Sequence, residues 1–136
     1  MKNREIKFKI YHKGGITGRI KIDGYERIGK NGYWEWMSLE LNPDKGERWS
    51  RGVYSWSDKY IRAQFTGLKD KLGKEIYEGD ILKYSDGDSG FVRFNYGWAI
   101  QYSDTYSHDM PQYYCDNLEI IGNIYENIEL AGNAHL

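Results

Sequence analysis

The chain has 136 residues, with 19 Lys/Arg against 20 Asp/Glu for a formal charge of −1, and aromatic residues make up 16% of it. Such a length holds one domain or two very small ones, which excludes a (β/α)8 barrel of ~250 residues and a nucleotide-binding domain with a separate substrate domain. A near-neutral balance, taken over the whole chain, does not advertise a nucleic-acid binder.

The halves differ. Residues 1–60 carry 13 Lys/Arg and 8 Asp/Glu, net +5, while residues 61–136 carry 6 and 12, net −6. Opposite signs suit attraction within or between chains, or an anionic partner for the basic half. The single cysteine, Cys115, has no internal disulfide partner and makes no thiolate metal site alone. Its solitude predicts a reducing cytoplasm. No apolar run reaches the length of a membrane helix, and the charged start lacks the apolar stretch of a signal peptide, so no membrane association is expected.

With 13 Tyr, 5 Trp and 16 Gly, the composition favours strands joined by turns. Ile6, Phe8 and Ile10 alternate with polar neighbours and predict a strand over 5–11. Ile20 and Ile22 predict a second, closed by an Asp23-Gly24 turn. Asn31-Gly32 announces a strand over 33–41 with a bulge or change of face. Residues 42–47 read as a loop, and 48–60 as aromatic strand plus connection.

Beyond Tyr60 the periodicity sharpens. Ile61, Ala63 and Phe65 share a face, Asp70 and Gly73 mark a turn, and Leu82 and Tyr84 alternate with Ile81 and Lys83. Ser85 to Gly90 reads as a turn. Phe91 to Phe94 and Trp98 to Tyr102 form a hairpin through Asn95-Tyr96-Gly97, with Gly97 in the left-handed position. A helical turn follows Pro111, and Leu118 to Tyr125 is the last strand, bent or bulged at Gly122. The fold is therefore expected to be mainly β. Residues 61–102 and 118–125 form a small curved antiparallel sheet or partly open barrel, with Leu82, Val92, Phe94, Trp98, Ile100 and Ile120 inside. The division expected is a basic β-rich lobe over 1–60, possessing its own sheet or completing the other, a barrel-like lobe over 61–128, and a flexible tail over 129–136.

Three polar groupings offer candidate chemistry. Glu75, Glu78 and Asp80 read as turn caps before they read as an acid–base pair. Asp86 and Asp88 begin a calcium-loop pattern, but the twelfth position falls on Gly97 where a Glu is required. Asp104, His108 and Asp109 form a weak alternative polar site: a surface-loop histidine, a divalent metal contact, or a base for Cys115. No second histidine supports them. No catalytic residue, metal ligand or cofactor is assigned.

The aromatic segment carries more. Arg48, Trp49, Arg51, Tyr54, Trp56, Lys59 and Tyr60 interleave rings with cations, beside Trp34, Trp36 and Arg62. Such a set suits core or dimer packing, a protein interface rich in Trp, Tyr and Arg, or stacking and phosphate neutralisation on single-stranded nucleic acid.

Gln64-Phe65-Thr66-Gly67-Leu68-Lys69-Asp70-Lys71, continuing through Gly73-Lys74-Glu75-Ile76-Tyr77-Glu78-Gly79-Asp80-Ile81, resembles the YopX family of phage and prophage proteins. Arg4 to Lys9 and Glu119 to Asn127 resemble the ends of the same family. Leu72 stands where Asn is more typical, and Ile128 where Pro is. The resemblance implies a small β-rich protein and brings no catalytic residues with it. The expected function is that of a phage or prophage accessory protein without catalysis, binding a protein partner or a second copy of itself. The alternatives are single-stranded nucleic-acid binding by the basic aromatic half and, third, a small metal-dependent hydrolase.

Overall fold

Alternating residues around Phe8 and Ile10 form β1 (Lys7–His12), flanked on both sides by antiparallel partners in the computed structural model. The structure describes residues 5–14, 20–29, 31–38, 49–52, 57–85, 87–94 and 96–131. The chain divides into two units, residues 1–65 and 66–136.

In the first unit β1 is joined by β2 (Lys21–Ile28), β3 (Trp34–Ser38), β4 (Ser50–Arg51) and the opening residues of β5 (Tyr60–Lys69). Their hydrogen-bonded order is β4-β3-β2-β1-β5. The expected Asp23-Gly24 turn is corrected: both residues lie inside β2. Gly24 is opposite Ile10 and Ser38, and a Cβ there would collide with the Met37 carbonyl. Glycine at this point serves a close strand approach rather than a turn. The turn falls at Asn31-Gly32 instead, where Gly32 has φ 77° and its N–H reaches the Gly29 carbonyl at 3.0 Å.

The second unit holds the end of β5, β6 (Glu75–Tyr77), β7 (Asp80–Tyr84), β8 (Ser89–Phe94), β9 (Trp98–Gln101), β10 (Ser107–Asp109), α1 (Gln112–Cys115), β11 (Leu118–Asn123) and a 3₁₀ turn over Ile128–Ala131. Its antiparallel sheet runs β10-β9-β8-β7-β11 and is open at both ends. The expectation that residues 61–77 join this sheet is corrected. β5 pairs with β1 and is followed by β6 in the other order, because Tyr60 to Gln64 find their partners in His12 to Phe8.

Val92 and Ile100 stand opposite one another and are buried with Ile76, Leu82, Met110, Cys115 and Leu118, against which Trp98 and Ile120 are partly buried. Phe94 does not follow them. It is 60% exposed, since it ends β8, where it meets the edge of Trp98 at 5.1 Å. Gly97 has the expected positive φ, 156°, and Tyr96 beside it is also positive, at 61°. The bulge expected at Gly122 is present as a register shift between Ile120 and Gly122.

The long motif from Gln64 to Ile81 has a structural explanation. Thr66 donates its hydroxyl to the Ile76 carbonyl at 2.8 Å. Asp70, buried, accepts the N–H groups of Leu72 and Lys74 at 2.9 Å each and of Ile120 at 3.1 Å. Asp80, also buried, accepts the Tyr77 N–H at 2.8 Å, and Gly79, at φ 86°, lies under the Tyr125 ring. Each conspicuous residue satisfies backbone or, as at Gly79, makes room for a neighbouring ring. No helix among the described residues is long and apolar enough to cross a membrane.

Candidate functional site

Directly paired residues on neighbouring strands share a face, so the register sorts the first unit's side chains. Trp36, Glu26, Phe8 and Gln64 make one row, with Arg62 on the same side of β5. Glu26 has 0% exposure, and a buried carboxylate requires a cation. Arg62 supplies it: Nη2 lies 3.2 and 3.4 Å from the two carboxylate oxygens. The guanidinium also sits over Trp34 at 4.8 Å and Phe8 at 5.2 Å, and these two rings stack at 5.7 Å. This group ties β2 to β5 across β1.

The opposite row is Lys7, Arg27, Glu35 and Arg51. Arg27 bonds Glu35 through Nε at 3.1 Å and lays its guanidinium over Trp49 at 3.9 Å. Arg51, exposed on β4, covers the Tyr33 ring at 4.1 Å, and Tyr33 is itself 54% exposed. Guanidinium faces stacked on rings hold long side chains in place and leave N–H edges directed past the ring. The result is a preformed arginine and aromatic edge made by β2, β3, β4 and Trp49.

Of the segment singled out by sequence, Trp49 and Arg51 contribute to this edge. Lys59 and Tyr60 do not: Tyr60, on β5, is opposite His12, with three strands between β5 and β4 in the order, and meets the His12 ring at 5.1 Å. Arg48, Tyr54 and Trp56 lie outside the described residues. Arg27, Tyr33 and Glu35 were missed. The signal available was the Asn31-Gly32 turn, which folds 25–29 back onto 33–37 and sets Arg27 opposite Glu35.

Asp104, His108 and Asp109 are not brought together. His108 stands opposite Ile100 and Asp109 opposite Ala99, so alternation sends them to opposite faces. The His108 ring stacks on Tyr114 at 4.0 Å, and its Nδ1 donates to the Asp109 carbonyl at 2.6 Å. That contact assigns the proton to Nδ1. Asp104 is exposed in the turn after β9. Cys115 is fully buried, and burial, then the Asp116 charge, pushes its thiol up to about 11, opposite to the direction that activates a nucleophile. Tyr102 is also raised, first by burial and then by its hydroxyl contact with Tyr114 at 2.6 Å. Among the described residues no group of three or more His, Cys, Asp or Glu side chains is gathered to hold a metal ion.

Comparison with protein families finds a match to the YopX protein family over residues 29–131. The fold is similar to that of protein EF1440 from Enterococcus faecalis, with a TM-score of 0.52 and 23% identity over 91% of this chain and 97% of that one. Curated proteins yield no significant match.

Proposed function

The chain belongs to the YopX protein family, a phage-associated family, and we propose that it is a non-catalytic accessory protein that binds another protein through the arginine and aromatic edge of its first unit, in the cytoplasm of a bacterial host. The observation that carries this reading is the pair of stacks Arg51 over Tyr33 at 4.1 Å and Arg27 over Trp49 at 3.9 Å. Arginine and large aromatic side chains are the types concentrated at protein interface centres, and side chains already immobilised lose less entropy on binding.

Charge favours a protein over a nucleic acid as the occupant. A single strand is held by a run of cations along its phosphates. Here Arg27 is matched by Glu35 at 3.1 Å, Arg62 by Glu26 at 3.2 Å and Lys7 by Glu5 at 3.6 Å, and two of the rings present a face already covered by guanidinium. Such compensation suits a mixed polar and aromatic interface. The raised thiol of Cys115 and the separation of His108 from both aspartates support a role without catalysis.

The test is capture of partners from host extract by the intact protein, with and without nuclease. A protein retained after nuclease treatment, and lost with Arg51→Glu while circular dichroism and thermal midpoint stay unchanged, is the expected result. Retention abolished by nuclease, together with single-strand binding that weakens as salt rises, would replace it with the nucleic-acid reading.

A further inference from the structure

Charge reverses at the unit boundary. Residues 1–65 carry 14 Lys/Arg and 8 Asp/Glu, net +6, and residues 66–136 carry 5 and 12, net −7. The acidic side is sharper still toward the end of the chain: after Arg93 there is no Lys or Arg, while Asp104, Asp109, Asp116, Glu119, Glu126 and Glu129 follow. Lys71 reaches Glu119 at 3.7 Å. Asp116 and Glu126 are held by neutral amides, of Gln112 at 2.9 Å and Asn123 at 3.1 Å. The Asp109 carboxylate is exposed and has no cation among the described residues. Arg51 is its counterpart in the first unit: exposed, stacked on Tyr33, and without a carboxylate among the described residues. Arg51 lies on β4, which ends one strand order, and Asp109 on β10, which ends the other.

We infer that the protein partner is a second copy of this chain, the Arg51 and Tyr33 edge of one copy docking on the Asp109 edge of the next. The inference rests on the reading of that edge as an interaction surface. Matched charge at an interface fixes register and speeds encounter, and like charges forced together there are strongly unfavourable. A copy that carries both halves of a complementary contact is able to make it with another copy, either twice about a two-fold axis, Arg51 to Asp109 and Asp109 to Arg51, or once with each of two neighbours, head to tail.

The experiment is sedimentation equilibrium of the full chain at low and high salt, with Arg51→Glu, Asp109→Lys and an equimolar mixture of the two. Concentration-dependent association at low salt, weakened at high salt, is expected. Each variant alone sets like charges together and should weaken association about tenfold or more. The mixture sets Glu against Lys in one contact and Arg51 against Asp109 in the other, and should associate again. Lys59→Glu removes the same charge away from the edge and should change the constant by less than about twofold, screening being strong for distant exposed charges. Circular dichroism checks that each variant folds, and Arg51→Gln gives a milder second measure in which the loss should be smaller than with Glu. A monomer at all reachable concentrations overturns the inference, as does association indifferent to salt or to both reversals, or equal loss with Lys59→Glu. Were the chain monomeric while Arg51-dependent capture of a host protein persisted, the second copy would be rejected and the interaction surface kept.

Discussion

Asp70 shows how much one side chain can organise. Its two oxygens accept three backbone N–H groups, from Leu72, Lys74 and Ile120, so it closes the turn after β5 and also anchors β11. Replacing it with alanine leaves the Ile120 N–H without its acceptor and should lower unfolding stability by about 2–3 kcal/mol, the range for charge-assisted bonds to a buried group. Chemical denaturation measures this, and a loss below about 0.5 kcal/mol would show that solvent replaces the carboxylate. Gly79 is constrained twice, by φ 86° and by a Tyr125 ring carbon 2.7 Å from where a Cβ would stand. Gly79→Ala should cost about 2–4 kcal/mol from backbone strain and overpacking together, and in the Tyr125→Ala background the overpacking part should disappear. Tyr96 illustrates the reverse, a non-glycine residue at φ 61° with a fully exposed ring. Tyr96→Gly should raise stability slightly, by up to about 1 kcal/mol, since the strain relieved exceeds the added freedom of the unfolded chain.

At the scale of elements, the β8–β9 hairpin separates face from depth. Alternation puts Val92 and Phe94 on one side of β8, yet Val92 is 1% exposed and Phe94 60%. Val92 stands opposite Ile100 and is buried in one cluster with Leu82 and Leu118, while Phe94 is the last residue of its strand with Trp98 opposite. Val92→Ala should therefore cost about 1–3 kcal/mol through lost contact and cavity. Phe94→Ala should cost less than about 1 kcal/mol, mainly the edge contact with Trp98. Equal losses in thermal or denaturant unfolding would contradict the burial difference. The motif from Gln64 to Ile81 acts at this scale too, because Thr66 joins β5 to β6, Asp80 joins β6 to β7, and Asp70 joins the turn after β5 to β11.

Across the whole molecule, three groups of the second unit share a pKa direction. Burial comes first in each case, raising the Tyr102 phenol, pushing Cys115 from 9.0 to about 11, and pushing Tyr125 from 10.0 to about 12, the last with the Glu78 and Asp80 charges behind it. In the unfolded chain these groups lose their protons first, so the stability they contribute is fully present below about pH 9 and falls as pH rises toward 12. Denaturation across alkaline pH should show a steady decline over that window, and Tyr125→Phe should flatten the part above pH 10. A profile level to pH 12 would reverse the assignment. At neutral pH the same unit carries the carboxylates that oppose the basic first unit, and charge pattern and alkaline lability are thus properties of different groups.

Local pattern decided a good deal in advance. Alternation and glycine turns sufficed for the mainly β class, the Asn31-Gly32 turn, the helical turn after Pro111 and the Gly122 bulge, because each depends on neighbours within a few residues. The motif from Gln64 to Ile81 disclosed the family, and Trp49 and Arg51 were legible from their types as candidates for the arginine and aromatic edge. Strand partners were not legible. Periodicity says which side chains share a face but not which strand lies alongside, a choice made by packing between distant segments. So β5 went to β1 rather than to the second sheet, Gly24 fell inside β2, and Tyr60 parted from Trp49. Glu26 met Arg62, 36 residues away, for the same reason, since a buried charge takes its partner across the sheet, and only the tertiary structure brings the two strands into register.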